Sequence, residues 1–209
     1  VPAFPIPPEP PSLAEADQRL LGTLAARALL RYCQPSEATE GDETVAIPER
    51  LALGVGVFVT LFSGEDLRGC LGSAEGREPL HDSVPRLTVA SASCDPRFPR
   101  VRLEELPRMR IEITLLGALT RLPSDEAQLL EGLDPELHGI HIRSGPLSGL
   151  YLPQVARRFD WGPRRLLGEV SQKAGLPEGG WRDPAAELFF FRARSFGVPA
   201  HSSSPGGVP

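Results

Sequence analysis

The sequence predicts an α+β protein. Two β-rich runs joined by turn residues are followed by a helical stretch, the same order recurs downstream, and strands and helices mix without the regular alternation of a βαβ chain. Apolar residues at 41% and charged residues at 23% are ordinary for a globular chain, and 209 residues suffice for a sizeable core. That length permits one large domain or two small ones. The reading is one domain over residues 12–196, between a proline-rich arm at 1–11 and a tail at 197–209, both expected to be disordered.

The elements follow in order. Six prolines stand within the first eleven residues, so the arm is extended, because φ is fixed and backbone donors are missing. Ser12 and Glu15 have the spacing of a capping box and place a helix start there. Leu13, Ala16, Leu20, Leu24, Ala28 and Leu29 recur at helical spacing up to Tyr32, before Pro35, and polar residues 34–43 form a loop. Over 54–62, Val55, Val57, Val59 and Leu61 alternate with Gly56, Phe58, Thr60 and Phe62, which is a strand pattern. Turn residues at 63–66 return the chain as a hairpin partner over 67–72. Pro79 opens a second helix whose buried face carries Leu80, Val84, Leu87 and Ala90 or Ser91. Strand 110–116 sets Ile111, Ile113 and Leu115 on one side and Glu112, Thr114 and Leu116 on the other. A short helix at 124–130, a hairpin from 139–143 and 149–152, a helix opened by Pro163 and closed by Gly175 and Pro177, and a last strand over 187–196 complete the chain.

Several function classes are excluded. The net charge of -5, from 22 basic and 27 acidic side chains, gives no overall positive field for phosphates, so no nucleic acid is expected as a partner. No run approaches the roughly 18 to 20 apolar residues a spanning helix needs, and the start lacks the blocks of a secretory signal. The chain therefore reads as soluble and cytoplasmic, without a membrane partner. Cys33, Cys70 and Cys94 stand far apart and are odd in number, which fits neither a disulfide framework nor a zinc finger. His81, His138 and His141 lack metal-ligand spacing, so no metal is expected. There is no Gly-x-Gly-x-x-Gly, P-loop or Gly-x-Ser-x-Gly signature, and no cofactor is called for. Arg157, Arg158, Arg164 and Arg165 around Trp161 read as a solvated basic helix start rather than a site for single-stranded nucleic acid.

Two segments carry candidate chemistry. In Leu67-Arg68-Gly69-Cys70-Leu71-Gly72, a strand sets Arg68 and Cys70 on one face, where the guanidinium favours the thiolate, the form that attacks electrophiles. Gly69 and Gly72 let another backbone or a ligand approach closely. The bland alternative is a buried apolar cysteine in a glycine-bent strand. In Asp95-Pro96-Arg97-Phe98-Pro99, proline pushes Asp95 out of the helical region, so the second helix stops near Ser93 or Cys94. The rigid loop then shows a carboxylate, a guanidinium and a ring, a plausible binding edge. Its structural alternative has Asp95 capping amides, Arg97 paired with a carboxylate and Phe98 in the core.

At these motifs the chain resembles the AMMECR domain family. The likeness rests on Leu67 to Gly72, Asp95-Pro96-Arg97-Phe98, Ile111-Glu112-Ile113-Thr114-Leu115-Leu116, Gly149 with Leu152-Pro153-Gln154-Val155, Trp161, and Lys173-Ala174-Gly175-Leu176 with Trp181, in the family's order. It implies a curved, barrel-like, mainly antiparallel sheet with two hairpin-helix units and room for a smaller subdomain. It also implies a shared pathway with a Memo-type protein and a radical S-adenosylmethionine protein, the AmmeMemoRadiSam system, in whose genes bacterial and archaeal relatives commonly stand. Ser171 departs from the pattern, because relatives often carry a cysteine there.

Two functions follow as expectations. One is a binding or accessory component that docks a protein partner or small ligand through Gly69, Gly72, Arg97 and Phe98. The other is an enzyme or enzyme component with Cys70 as nucleophile or carrier, assisted by Arg68, with Asp95 or His81 as base only if the fold brings one close.

Overall fold

The structure is a computed structural model describing residues 6–35, 46–123 and 125–200. In chain order the elements are α1 (Glu15–Cys33), β1 (Val57–Ser63), β2 (Asp66–Ser73), α2 (Leu80–Ser93), β3 (Met109–Leu116), β4 (Thr120–Arg121), α3 (Glu126–Gly132), β5 (Gly139–Ser144), β6 (Leu147–Tyr151), α4 (Pro153–Arg158), α5 (Pro163–Lys173), β7 (Glu187–Phe191) and β8 (Ala193–Pro199). The α+β class holds. Instead of one barrel-like sheet, the strands divide into two open four-stranded sheets, ordered β2-β1-β3-β8 and β4-β7-β5-β6. The chain forms two compact units, one of residues 12–115 with 195–209 and one of 1–11 with 116–194. Hairpin followed by helix occurs once in each, as β1-β2-α2 and as β5-β6-α4-α5.

In the first unit, β1 pairs antiparallel with β2 and with β3, and the alternation read from sequence sets the packing. Val57, Val59 and Leu61 of β1 and Ile111, Ile113 and Leu115 of β3 are buried in one cluster with Leu21, Ala25 and Leu29 of α1 and with Leu80, Val84 and Leu87 of α2. This is the period-2 apolar face of a sheet covered by period-3.6 helix stripes. The helix cap falls two residues after the Ser12 position read from the sequence. α1 begins at Glu15 with Ala14 as cap, a residue without a side-chain acceptor, and its fully buried stripe runs through Leu21, Ala25 and Leu29, with Leu13, Leu20 and Leu24 half-buried against the same core. Buried Asp17 accepts both Arg50 Nε at 2.6 Å and Nη2 at 2.7 Å, a bidentate pair in which the geometry compensates the burial of a charge.

In the second unit, β5 pairs with β6 and β7, and Ile140, Ile142, Leu166, Leu167, Val170, Leu188 and Phe190 share a core. Asp125 caps α3 by accepting from the Gln128 amide at 2.9 Å. α5 opens at Pro163, and Gly175 follows it at φ +79, the left-handed value that glycine meets without penalty. The single last strand expected over 187–196 is two strands, β7 and β8, which belong to different sheets. Ile6 to Pro11 carry no helix or strand, yet Pro7 and Pro10 are buried, and the Pro8 carbonyl lies so close to Gly117 that a Cβ there would meet it at 2.1 Å. Residues 1–5 of the arm, most of the loop at 34–43, Ser124 and tail residues 201–209 lie outside the described residues.

Candidate functional site

The two signature segments meet within the first unit. α2 ends at Ser93 with Cys94 as its cap, where the Asp-Pro step dictates, and the chain turns through residues 95–99. Asp95 is 4% exposed. Its Oδ2 accepts the Cys70 backbone amide at 2.9 Å and Arg97 Nη2 at 2.7 Å, and its Oδ1 accepts Arg97 Nε at 2.9 Å and the Arg97 amide at 3.1 Å. The carboxylate thus locks the loop to the edge strand β2 and to itself. Chiefly the Arg97 side-chain hydrogen bonds, together with the two amides, lower its pKa to about 2 against an opposing desolvation.

Ser91 forms the second tie. Its hydroxyl donates to the Val59 carbonyl at 2.8 Å and accepts the Leu71 amide at 2.9 Å, joining α2 to β1 and β2 at once. The Ser91 carbonyl stands so close to Gly69 that a Cβ there would meet it at 2.2 Å, so β2 needs a glycine where the helix backbone presses on it. The Phe58 ring occupies the corresponding space at Gly72.

Arg68 has a different setting from the one the spacing suggested. The β1–β2 register shifts between Leu61 and Phe62, which pair with Gly69 and Leu67, so Arg68 is the extra residue of a bulge and its side chain is re-aimed. Its guanidinium donates Nε to Glu105 Oε2 at 2.7 Å, Nη2 to Glu105 Oε1 at 3.1 Å, Nη1 to the Pro99 carbonyl at 2.7 Å and Nη2 to the Arg100 carbonyl at 3.2 Å. Arg68 clamps the loop that follows Phe98, and the Glu105 carboxyl is held below its usual pKa, first by those Arg68 hydrogen bonds. The guanidinium whose charge registers Cys70 is Arg97, whose own pKa is raised first by Asp95 and least by Cys70. Arg97 Nη2 also reaches the Cys70 carbonyl at 3.4 Å.

The Cys70 thiol is half-buried and accepts a hydrogen bond from Thr60 Oγ1 at 3.3 Å. Arg97 keeps 54% of its side chain exposed, and its guanidinium lies 5.4 Å from the half-buried Phe98 ring. Cys70, Asp95, Arg97 and Phe98 therefore form one cluster with a solvent-facing edge. Thr60, Ser91 and Glu105 belong to it and were not singled out by motif; the signals that could have found them were alternation in β1 and the small polar residue on the buried face of α2.

The remaining candidates lie elsewhere. His81 Nδ1 faces the Leu51 carbonyl at 3.0 Å, and ten residues of helix, about 15 Å of rise, separate it from Ser91, so it does not serve Cys70. His138 accepts the Asp134 amide at 3.1 Å, and desolvation lowers its pKa; His141 Nε2 meets Ser148 Oγ at 2.8 Å. Arg164 and Arg165 are paired with Glu126 and Glu169. Ser171 is fully buried in α5, with its hydroxyl on the Leu167 carbonyl at 2.9 Å. No described helix is long and apolar enough to cross a membrane.

Fold and cluster define an α+β protein of two sheet-and-helix units with a cysteine strand tied to an Asp-Pro-Arg-Phe loop. Residues 23–196 match the AMMECR1 family, and the chain belongs to that family. It is similar to a protein of Aeropyrum pernix, 35% identical over 191 residues that cover 90% of this chain and 81% of the relative. A protein of Methanopyrus kandleri is 34% identical over 177 residues, 83% of this chain and 84% of that one. Among solved structures, an uncharacterised protein from Pyrococcus horikoshii superposes with a TM-score of 0.77 at 31% identity, over 86% of this chain and 91% of that chain.

Proposed function

We propose that this AMMECR1-family protein is a cytoplasmic binding or accessory component that acts with a Memo-type protein and a radical S-adenosylmethionine protein, docking through the edge made by Arg97, Phe98 and the Gly69–Gly72 strand. The observation that carries this reading is the saturation of Asp95. Four hydrogen bonds and a pKa lowered to about 2 make it a brace rather than a base at neutral pH, and the brace holds a half-exposed Arg97 in one orientation. A pre-set guanidinium beside an aromatic ring is a fitting anchor for a carboxylate or a backbone carbonyl of a partner. In pull-downs with the two partner proteins, Phe98→Ala and Arg97→Ala are expected to abolish capture and Cys70→Ser to preserve it. Capture that depends on Cys70 and ignores Phe98 overturns the reading.

A second reading has Cys70 as a thiolate nucleophile or carrier, and the Thr60 hydroxyl donated to its sulfur favours it, because a donor stabilises the anionic form. It predicts an inflection in iodoacetamide labelling of Cys70 below about pH 8, near the unperturbed thiol value. Labelling without that inflection removes it.

A further inference from the structure

The turn that closes α4 sets a row of rings on the surface of the second unit. The Trp161 amide donates to the Ala156 carbonyl at 3.0 Å and the Asp160 amide to the Arg157 carbonyl at 3.3 Å, the paired bonds of a left-handed helix end. Asp160 stands at φ +50, where glycine is usual, and is the one described non-glycine residue with a positive φ. This turn fixes the two rings that flank it. Phe159 stacks on Trp161 at 5.3 Å with 20° between the planes, and Trp161 meets Tyr151 of β6 at 5.3 Å and 78°. The Lys173 ammonium lies 4.3 Å from the Tyr151 ring and donates to the Leu150 carbonyl at 2.7 Å, tying the inner end of the row to β6.

The outer end of the row is open. Phe159 is 58% exposed, and among the described residues no other phenylalanine, tyrosine or tryptophan is exposed. The basic residues nearby divide into paired and unpaired. Arg164 and Arg182 share Glu126, and Arg165 holds Glu169. Arg157 and Arg158 are exposed and carry no ion pair among the described residues. Arg157 Nη1 reaches the Glu136 carbonyl at a long 3.4 Å, and the Arg158 guanidinium lies 5.9 Å from the Phe159 ring. Ring and guanidiniums suit two parts of one ligand: a flat side chain continues the stack, and carboxylates complete the arginines. A nucleic-acid strand presents a phosphate at every nucleotide and needs a longer basic track. Here Arg164 and Arg165 are taken, the Asp160 carboxylate is exposed beside the rings, and the whole chain carries a net charge of -5. Two unpaired arginines beside one open ring fit a short peptide better.

We propose that the ledge from Arg157 to Trp161 docks a short acidic segment of a partner protein, whose aromatic side chain stacks on Phe159 and whose flanking carboxylates meet Arg157 and Arg158. The rings are already held by the α4 turn and by Tyr151, so little ordering is required on binding. The ledge lies wholly within the second unit, whereas the Arg97–Phe98 edge belongs to the first.

The test is a titration of the full chain with an acetylated Glu-Glu-Phe-Glu-Glu peptide, read from the indole N–H signals by nuclear magnetic resonance. The chain has two tryptophans, and Trp181, 6% exposed beneath the Arg182 guanidinium, serves as the internal control. A saturable shift of the Trp161 signal with Trp181 unmoved is expected. Replacing the four glutamates of the peptide by glutamine, or its phenylalanine by alanine, is each expected to weaken binding by at least about fivefold. Phe159→Ala and the double variant Arg157→Gln with Arg158→Gln are expected to weaken binding of the parent peptide by a similar factor. Phe159→Leu, which keeps apolar bulk without a flat ring, is expected to do the same and replaces Phe159→Ala if that variant does not fold. Absence of a saturable Trp161 shift overturns the proposal, as does equal affinity for the glutamine peptide, which would mean a merely apolar contact. An oligouridylate that binds the ledge more tightly than the acidic peptide also overturns it, in favour of a nucleic-acid surface. The titration is independent of capture through Arg97 and Phe98, so the two surfaces stand or fall apart.

Discussion

Asp95 shows how one side chain sets the local architecture. It closes hydrogen bonds to the Cys70 amide and to Arg97, and Arg97 with those amides lowers its pKa to about 2. A carboxyl whose folded pKa lies below its unfolded value of about 3.9 contributes stability that is present above pH 4 and is lost as pH falls through about 2. Asp95→Asn is therefore expected to lower unfolding free energy by about 2 to 4 kcal/mol at pH 7, in urea denaturation, with the gap from the parent narrowing below pH 4. A gap that is constant from pH 7 to pH 2 contradicts the charge-based account. Gly69→Ala makes a separate residue-scale prediction: a methyl group 2.2 Å from the Ser91 carbonyl forces β2 from α2 and costs about 1 to 3 kcal/mol in the same assay.

At the scale of elements, α2 is held to β1 and β2 by Ser91, and the loop after it by Arg68. Ser91→Ala leaves the Leu71 amide and the Val59 carbonyl without that partner and is expected to cost about 1 to 3 kcal/mol. Amide hydrogen exchange of Leu71 should quicken at the same time. The element scale is also where sequence and structure part. The faces of β1 and β3 were legible because Val57, Val59, Leu61, Ile111, Ile113 and Leu115 alternate, and the end of α2 because Asp95-Pro96 breaks a helix. The register was not legible. No local signal says that Thr60 opposes both Cys70 and Glu112, or that Arg68 falls on a bulge and turns to Glu105, because both follow from pairing partners remote in the chain. The Ser12–Glu15 spacing set the helix start two residues early, since α1 begins at Glu15 with Ala14 as its cap.

Across the molecule, two compact units each carry an open sheet and their own helices, and the whole described cysteine cluster belongs to one of them. The unbroken β-rich run at 187–196 hid the step from β7 to β8. The segments that carry the family resemblance were legible by motif, and the fold brings the Cys70 strand and the Asp95 loop into hydrogen-bond contact. The most direct measurement of the docking claim is hydrogen–deuterium exchange of the full chain, free and bound to the Memo-type protein and the radical S-adenosylmethionine protein. The account predicts slowed exchange on binding confined to residues 68–72 and 95–99. Protection that leaves both segments unchanged and falls on another surface would contradict it.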